Sequence, residues 1–203
     1  GIGVHVDEIQ NQKIDIDSMR KELGLKSDDY VIMSIGQISI RKNQKVIIEA
    51  ISLINNPKVK YVIVGFGELE EELQNLANKL NVIDRVIFTG YRQDAKALLH
   101  CADLFAFPSL QEGLPASLME AMSVGLPVVC SDIRGNNDLI ENDIGGYLCN
   151  SNDYKSFAKK IDYLLNNKDI ALKMGKYNQN NILNYDTKVV IDEMKNIYNG
   201  LDK

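Results

Sequence analysis

The 203-residue chain is 45% hydrophobic and 25% charged, the balance of a soluble globular protein with one sizeable core. No apolar run approaches the ~20 residues that a bilayer span requires, and a net charge of −5 without a Lys/Arg block argues against a nucleic-acid-binding surface. Cys101, Cys130 and Cys149 show no paired spacing and are expected as buried free thiols in a reducing compartment; His5 and His100 have no ligand-spaced neighbours, so no metal site is expected.

Residues 1–20 mix Asp, Glu, Asn and Lys throughout, unlike a secretory signal. The opening GIGVHVDEI reads as mid-chain sequence, so the chain is expected to be cut from a longer protein. With no sheet-like run before Lys21, residues 1–20 are expected as a lead-in linker and residues 21–203 as one domain. From there short apolar runs alternate with helix-period segments. Tyr30–Ile35, residues 61–64, Val86–Phe88, Leu104–Phe107 and residues 127–130 are strand-sized and lack polar alternation, as suits parallel strands buried on both faces. Between them, Val46, Ile47, Ala50, Ile51 and Ile54 share one helical stripe, and Leu69, Leu73, Leu76, Ala77 and Leu80 another. This order predicts an α/β fold, a Rossmann-like doubly wound parallel sheet. After residue 150 only helical patterns remain. One is capped by Asn152 or Asp153 and carries Phe157, Ile161, Leu164 and Leu165; others run near residues 169–184 and 187–198, followed by Gly200 and a charged tail.

In open parallel sheets, ligands bind beyond the carboxyl ends of the strands. After the first strand, SIGQISIRKNQKVIIEA places Gly36 at a turn where a phosphate can approach the backbone, with Arg41 and Lys42 before a helix. A lysine at a helix start is about as often a solvated charge, and because neighbours there do not share one face, Arg41 and Lys42 are not both expected to meet a ligand and Arg41 is expected to face solvent. After the second strand, VGFGELEEEL has Glu70 where a dinucleotide fingerprint needs its third glycine, which removes the NAD reading. The acidic run from Glu68 to Glu72 suits a helix dipole. A Walker A loop is also missing, because Ile170 stands where its first glycine is needed before Gly175-Lys176.

The segment FPSLQEGLPASLMEAMSVGLPVVCSDIRGNNDLI carries most of the chemistry. Glu112 falls on a loop beyond the Leu104–Phe107 strand, and Glu120 about one turn inside a helix beginning near Ala116. Two such carboxylates can face one crevice beside the free N–H groups of the helix start. That arrangement suits a polyhydroxyl ligand carrying phosphates. On spacing alone, two acids early in a helix are more often just partners of the helix dipole. Ser123 in AMSVG resembles a variant nucleophile elbow but lies well inside the helix, not at a strand-to-helix turn.

Taken with YVIVGFGELEEEL, VIFTGYRQDAKALLHCADLFAFPS and SDIRGNNDLI, the segment PSLQEGLPASLMEAMSVGLPVV resembles the signature of glycosyltransferase family 4, the retaining GT-B enzymes with two glutamates seven residues apart. The resemblance covers roughly residues 29–150 in the family's order, and the EGLP and IRGNNDLI variants are most similar to bacterial capsule and exopolysaccharide transferases. It implies the donor-binding half of a GT-B enzyme, beginning near the interdomain linker at GIGV, with the final helix packing back toward an absent acceptor domain.

The resemblance also implies residue roles. Lys42 neutralises the donor pyrophosphate, with Gly36 and Gln37 on the same loop. Glu112 holds hydroxyls of the transferred sugar, so Glu112 and Lys42 are the catalytic candidates, and Gly113 and Leu114 flank them. Ala116 and Ser117 present helix-start amides to the phosphate, Glu120 binds the ribose hydroxyls, and Tyr91 and Arg92 cradle the base. Two positions depart from the family: Gln37 stands where Arg is common, and Pro115 where Gly is common. The implied reaction is retaining transfer from a UDP-sugar to an acceptor hydroxyl, with no metal or other cofactor. Its implied partners are the UDP-sugar, the enzyme's own N-terminal acceptor domain and a glycan or lipid-linked acceptor, in the cytoplasm or at the inner face of the membrane through the missing half. A GT-B sugar-nucleotide epimerase and a non-catalytic nucleotide-sugar-binding module share this architecture.

Overall fold

The computed structural model describes residues 3–201. Its elements follow one another as α1 (Val6–Gln10), α2 (Ile16–Glu22), β1 (Tyr30–Ile35), α3 (Lys45–Leu53), β2 (Val59–Val64), α4 (Glu70–Lys79), β3 (Val86–Phe88), α5 (Ala95–Leu98), β4 (Leu104–Phe107), α6 (Ala116–Val124), β5 (Val128–Ser131), β6 (Gly146–Cys149), α7 (Tyr154–Asn166), α8 (Lys168–Asn181) and α9 (Thr187–Leu201). All six strands pair in parallel, in the order β3-β2-β1-β4-β5-β6. The Rossmann-like sheet expected from the alternating pattern is therefore present, with one strand more than the sequence showed. Gly1, Ile2 and the tail residues Asp202 and Lys203 lie outside the described residues.

Period-2 alternation within the strands divides the core in two. Ile32, Tyr61, Ile63, Leu104, Ala106 and Val129 point to one face, where α3, α4 and α7 supply Ile47, Ile51, Leu73, Ala77, Phe157 and Ile161. Val31, Met33, Val62, Phe105, Phe107 and Val128 point to the other, against Val6 and Ile9 of α1, Leu98 of α5 and Leu118 and Met122 of α6. Burying both faces is what makes uninterrupted apolar strands favourable. The three cysteines are free and buried.

The unanticipated strand β6 is four residues long and opens with a glycine, so no apolar run marked it. That glycine is required by packing: a Cβ on Gly146 would sit 2.1 Å from the Val128 carbonyl of β5. Asp153, one of the two expected caps, does cap α7, accepting from the Lys155 and Ser156 N–H groups at 3.1 Å. Residues 4–10, inside the expected lead-in, are built into the core. Val6 and Ile9 are buried, and Val4 brackets the start of α9 through Val4 N–H to Tyr185 O and Thr187 N–H to Val4 O, both 3.0 Å. Two apolar residues three apart are too short a pattern to register as a helix from sequence.

Helix α8 is fastened to the end of α6 by close backbone approach. Gly125 ends α6 in the left-handed conformation (φ 86°), and a Cβ on Gly175 of α8 would lie 1.9 Å from the Gly125 carbonyl. Alanine normally stabilises a helix interior by about 1 kcal/mol relative to glycine. Here Gly175→Ala should instead destabilise by roughly 1–3 kcal/mol, because α8 and the end of α6 must separate. A urea midpoint below that of the parent chain is the expected measurement.

Candidate functional site

The strand order reverses between β1 and β4. From β1 the chain runs into α3 on one face, and from β4 into α6 on the other. The loops 36–44 and 108–115 therefore diverge, opening a crevice beyond the carboxyl ends of the two strands. The sequence candidates Gly36, Gln37, Lys42, Glu112, Gly113, Leu114, Ala116 and Ser117 all lie on these loops or at the start of α6.

Each loop is held by its own residues. Gly36 has φ 151°, and a Cβ there would stand 3.1 Å from Lys42 Cε, so the glycine makes room for the lysine stem. Lys42 Nζ lies 4.6 Å from the Phe107 ring centroid. Asn43 turns the chain at φ 54° and donates to Pro108 O (3.2 Å) and Ser151 O (2.8 Å), while Leu110 N–H donates to Arg41 O at 2.8 Å. The Gly135 turn after β5 presses on the second loop; a Cβ at Gly135, where φ is 88°, would come 1.8 Å from Gly113 O. Sequence reading missed this support, although the lone glycine of IRGNN was its signal.

At the centre, one oxygen of Glu112 accepts from two cations: Lys42 Nζ and Arg41 Nη1 each stand 2.8 Å from Oε1. Arg41 Nη1 also donates to Gln111 O at 3.1 Å. Arg41 stays exposed, as expected, yet its guanidinium turns to the same carboxylate as Lys42. Helix α3 begins only at Lys45, so Arg41 and Lys42 lie in a turn, where the 100° spacing of helical neighbours does not apply. Burial holds the Lys42 ammonium below its ordinary value, with the Glu112 carboxylate pulling the other way. Gln37 is exposed, and its carbonyl accepts from Gln44 Nε2 at 3.0 Å.

Helix α6 starts at Ala116, directly after the loop. Its N-cap is Pro115, and no side chain caps it, so the first-turn N–H groups are left to solvent or a ligand. Glu120 lies one turn in, mostly buried, with Lys96 Nζ 3.4 Å away. Burial raises its carboxyl above the usual glutamate value of 4.5, and Lys96 opposes the shift.

Tyr91 and Arg92 follow β3, on the far side of β2 from the crevice. The backbone of this loop is tied to the β2 loop by Gly65 N–H to Gly90 O at 3.0 Å. Tyr91 is 70% exposed and packs edge-on to the exposed Phe66 ring, 6.3 Å between centroids. Phe66 had not been singled out. The Arg92 guanidinium is already engaged: it grips both oxygens of Asp94 at 2.7 Å and pairs with Glu22. Its side chain therefore shapes this loop, leaving the backbone and Tyr91 as the accessible groups. Among the described residues, no three His, Cys, Asp or Glu side chains cluster into a metal site, and no helix is long and apolar enough to cross a membrane.

A parallel six-stranded sheet with a charged crevice at its topological switch point is the Rossmann-like domain of GT-B glycosyltransferase structures. HepE of Anabaena, crystallised with UDP, superposes with a TM-score of 0.91 at 23% identity, covering 98% of this chain and 56% of that one. Residues 15–181 match the family described as glycosyl transferases group 1, and the chain belongs to it. It is 36% identical over 188 residues to the UDP-Gal:alpha-D-GlcNAc-diphosphoundecaprenol alpha-1,3-galactosyltransferase of Escherichia coli, a match covering 90% of this chain and 48% of that enzyme. It is 35% identical over 137 residues to the amylovoran biosynthesis glycosyltransferase AmsK of Erwinia amylovora, covering 63% of this chain and 34% of AmsK. The chain thus spans about half the length, or less, of these curated relatives.

Buried charge at Glu120 has a consequence for stability. Because the folded-state value lies above the unfolded one, the folded chain binds the proton more tightly, and stability falls as pH rises through that window. Glu120→Gln should therefore raise the urea midpoint at pH 7, with the gain fading as pH falls and disappearing well below the ordinary value of 4.5, where the carboxyl is protonated in both states. Denaturation curves at the two pH values test this.

Proposed function

We propose that this chain is the donor-binding domain of a retaining glycosyltransferase that takes a UDP-sugar and works with an acceptor-binding half, residues 4–10 being part of the donor domain's own core. The observation that carries the reading is the meeting of Lys42, from the β1 loop, with Glu112, from the β4 loop, beside the uncapped start of α6. Cations and helix-start amides suit phosphates, and buried carboxylates suit sugar hydroxyls. HepE crystallised with UDP-glucose has the same fold at a TM-score of 0.90, and the Escherichia coli relative is named for transfer from UDP-Gal.

In this reading the uracil lies against the loop carrying Tyr91 and Arg92, and Glu120 accepts from the ribose hydroxyls. Lys42 and the Ala116 and Ser117 amides face the diphosphate; Gly36, Gln37, Gly113 and Leu114 line the same crevice. Glu112 accepts from hydroxyls of the transferred sugar. As the bond to the anomeric carbon breaks, negative charge grows on the leaving phosphate, and Lys42 with the helix-start amides stabilises it without reorganisation. The leaving phosphate assists removal of the acceptor proton on the same face of the sugar, which retains the configuration. A clamp made of these groups requires no divalent metal. The similarity to an amylovoran biosynthesis transferase supports a role in bacterial capsule or exopolysaccharide synthesis, and the Escherichia coli relative, named for a GlcNAc-diphosphoundecaprenol acceptor, supports a lipid-linked one; we place the reaction in the cytoplasm or at the inner face of the membrane.

Titration calorimetry with UDP should show saturable binding in the presence of EDTA; a requirement for magnesium or manganese would contradict the metal-free clamp. Glu120→Ala should weaken UDP by about tenfold or more, since hydrogen bonds to a charged acceptor are worth roughly 1.5–3 kcal/mol. Lys42→Ala should weaken UDP strongly and leave uridine, which has no phosphate, almost unchanged.

A further inference from the structure

We infer that Arg41 is a second phosphate-binding cation of the crevice, parked on Glu112 in the free domain and transferred to the donor's diphosphate on binding. This deepens the UDP-sugar reading above and rests on it.

Four cations come from the segments 36–44 and 89–96: Arg41, Lys42, Arg92 and Lys96. Arg92 is consumed by the two Asp94 oxygens and Glu22, and Lys96 stands beside Glu120. Arg41 and Lys42 differ from both. They share not merely one carboxylate but one oxygen of it, so a single negative charge answers two positive ones. The crevice therefore holds a surplus positive charge at rest, at the switch point and beside the N-terminus of α6. A diphosphate carries more than one negative charge at neutral pH, and Lys42 by itself does not balance it.

Position and mobility favour Arg41 for the remaining charge. Lys42 is nearly enclosed, its stem against Gly36 and its ammonium against the Phe107 ring, with 12% of the side chain exposed. Arg41 is 49% exposed; its Nη1 donates to Glu112 and to the Gln111 carbonyl, and among the described residues no second carboxylate holds its guanidinium. Its backbone is fixed, because the carbonyl of Arg41 accepts from Leu110 N–H, so the guanidinium swings from an anchored root. A planar guanidinium also matches phosphate oxygens through paired N–H donors. The exchange has a consequence at Glu112. When both cations turn to the phosphates, Oε1 loses its two donors and is left to accept from sugar hydroxyls instead. Phosphate capture thereby prepares the carboxylate that reads the sugar.

The test measures binding of UDP and of uridine to this chain, to Arg41→Gln and to Arg41→Lys. Arg41 lies on an exposed turn, so neither variant removes a core contact. UDP affinity should fall about tenfold in Arg41→Gln, the loss expected for a charged hydrogen-bonding partner, and Arg41→Lys should retain most of it. Uridine affinity should be equal in all three. Unchanged UDP affinity in Arg41→Gln, with the parent chain binding UDP normally, overturns the assignment and leaves the donor-domain reading intact. Equal losses for UDP and uridine also overturn it, since they mark a loop displaced as a whole. Failure of the parent chain to bind UDP at all sinks the donor-domain reading itself.

Discussion

The reversal of strand order between β1 and β4 is the constraint on which the rest of the molecule depends. Adjacent parallel strands normally send their following loops the same way. Here α3 and α6 must cover opposite faces of one sheet, so the chain leaving β1 and the chain leaving β4 part company. The gap they leave is lined by backbone that belongs to neither face, and it sits where the N-terminus of α6 points outward. Apolar burial on two faces thus creates a polar site without any residue being spent on excavating it.

Electrostatics then fills the gap in an unequal way. Glu112 is enclosed, and a buried carboxylate without partners is costly; the two cations brought by the β1 loop make it tolerable. The same two cations leave the crevice positive. The partnered carboxylate and the surplus of positive charge are therefore one arrangement, held at 2.8 Å by loops that Asn43 and Leu110 stitch together. Glu120 shows the complementary case, a carboxylate kept buried at a cost, with only Lys96 set against the desolvation.

Much of this was legible in the amino-acid order. Continuous apolar runs of strand length, separated by stripes of helical period, determined a parallel sheet covered on both faces, because only that architecture buries every residue of such a run. The loop positions of Lys42 and Glu112 and the placement of Glu120 one turn into a helix also followed from sequence, since Gly113 and Pro115 prevent the helix from starting earlier. What escaped was local chemistry that depends on a distant neighbour. Strand β6 opens with a glycine that only the nearness of Val128 explains. Gly135 and Gly175 are small because a carbonyl from another element stands where a Cβ would be. The short α1 was hidden because its two buried residues acquire a meaning only against α6.

The sequence by itself determined the fold class, the two sides of the sheet and the set of polar residues placed on the loops at its carboxyl edge. Only the tertiary structure decided which of them meet. Arg41 and Lys42 converge on one oxygen because the chain is still turning through Asn43 before α3 begins, and a turn has no fixed angular period from which side-chain direction can be read. Arg92 is withdrawn from the crevice by Asp94 two residues later and by Glu22 seventy residues earlier, a pairing that depends on α2 packing beside the β3 loop. Periodicity fixes where a residue sits along an element, but the partner of a long, flexible charged side chain is chosen by whatever opposite charge the folded chain brings within reach.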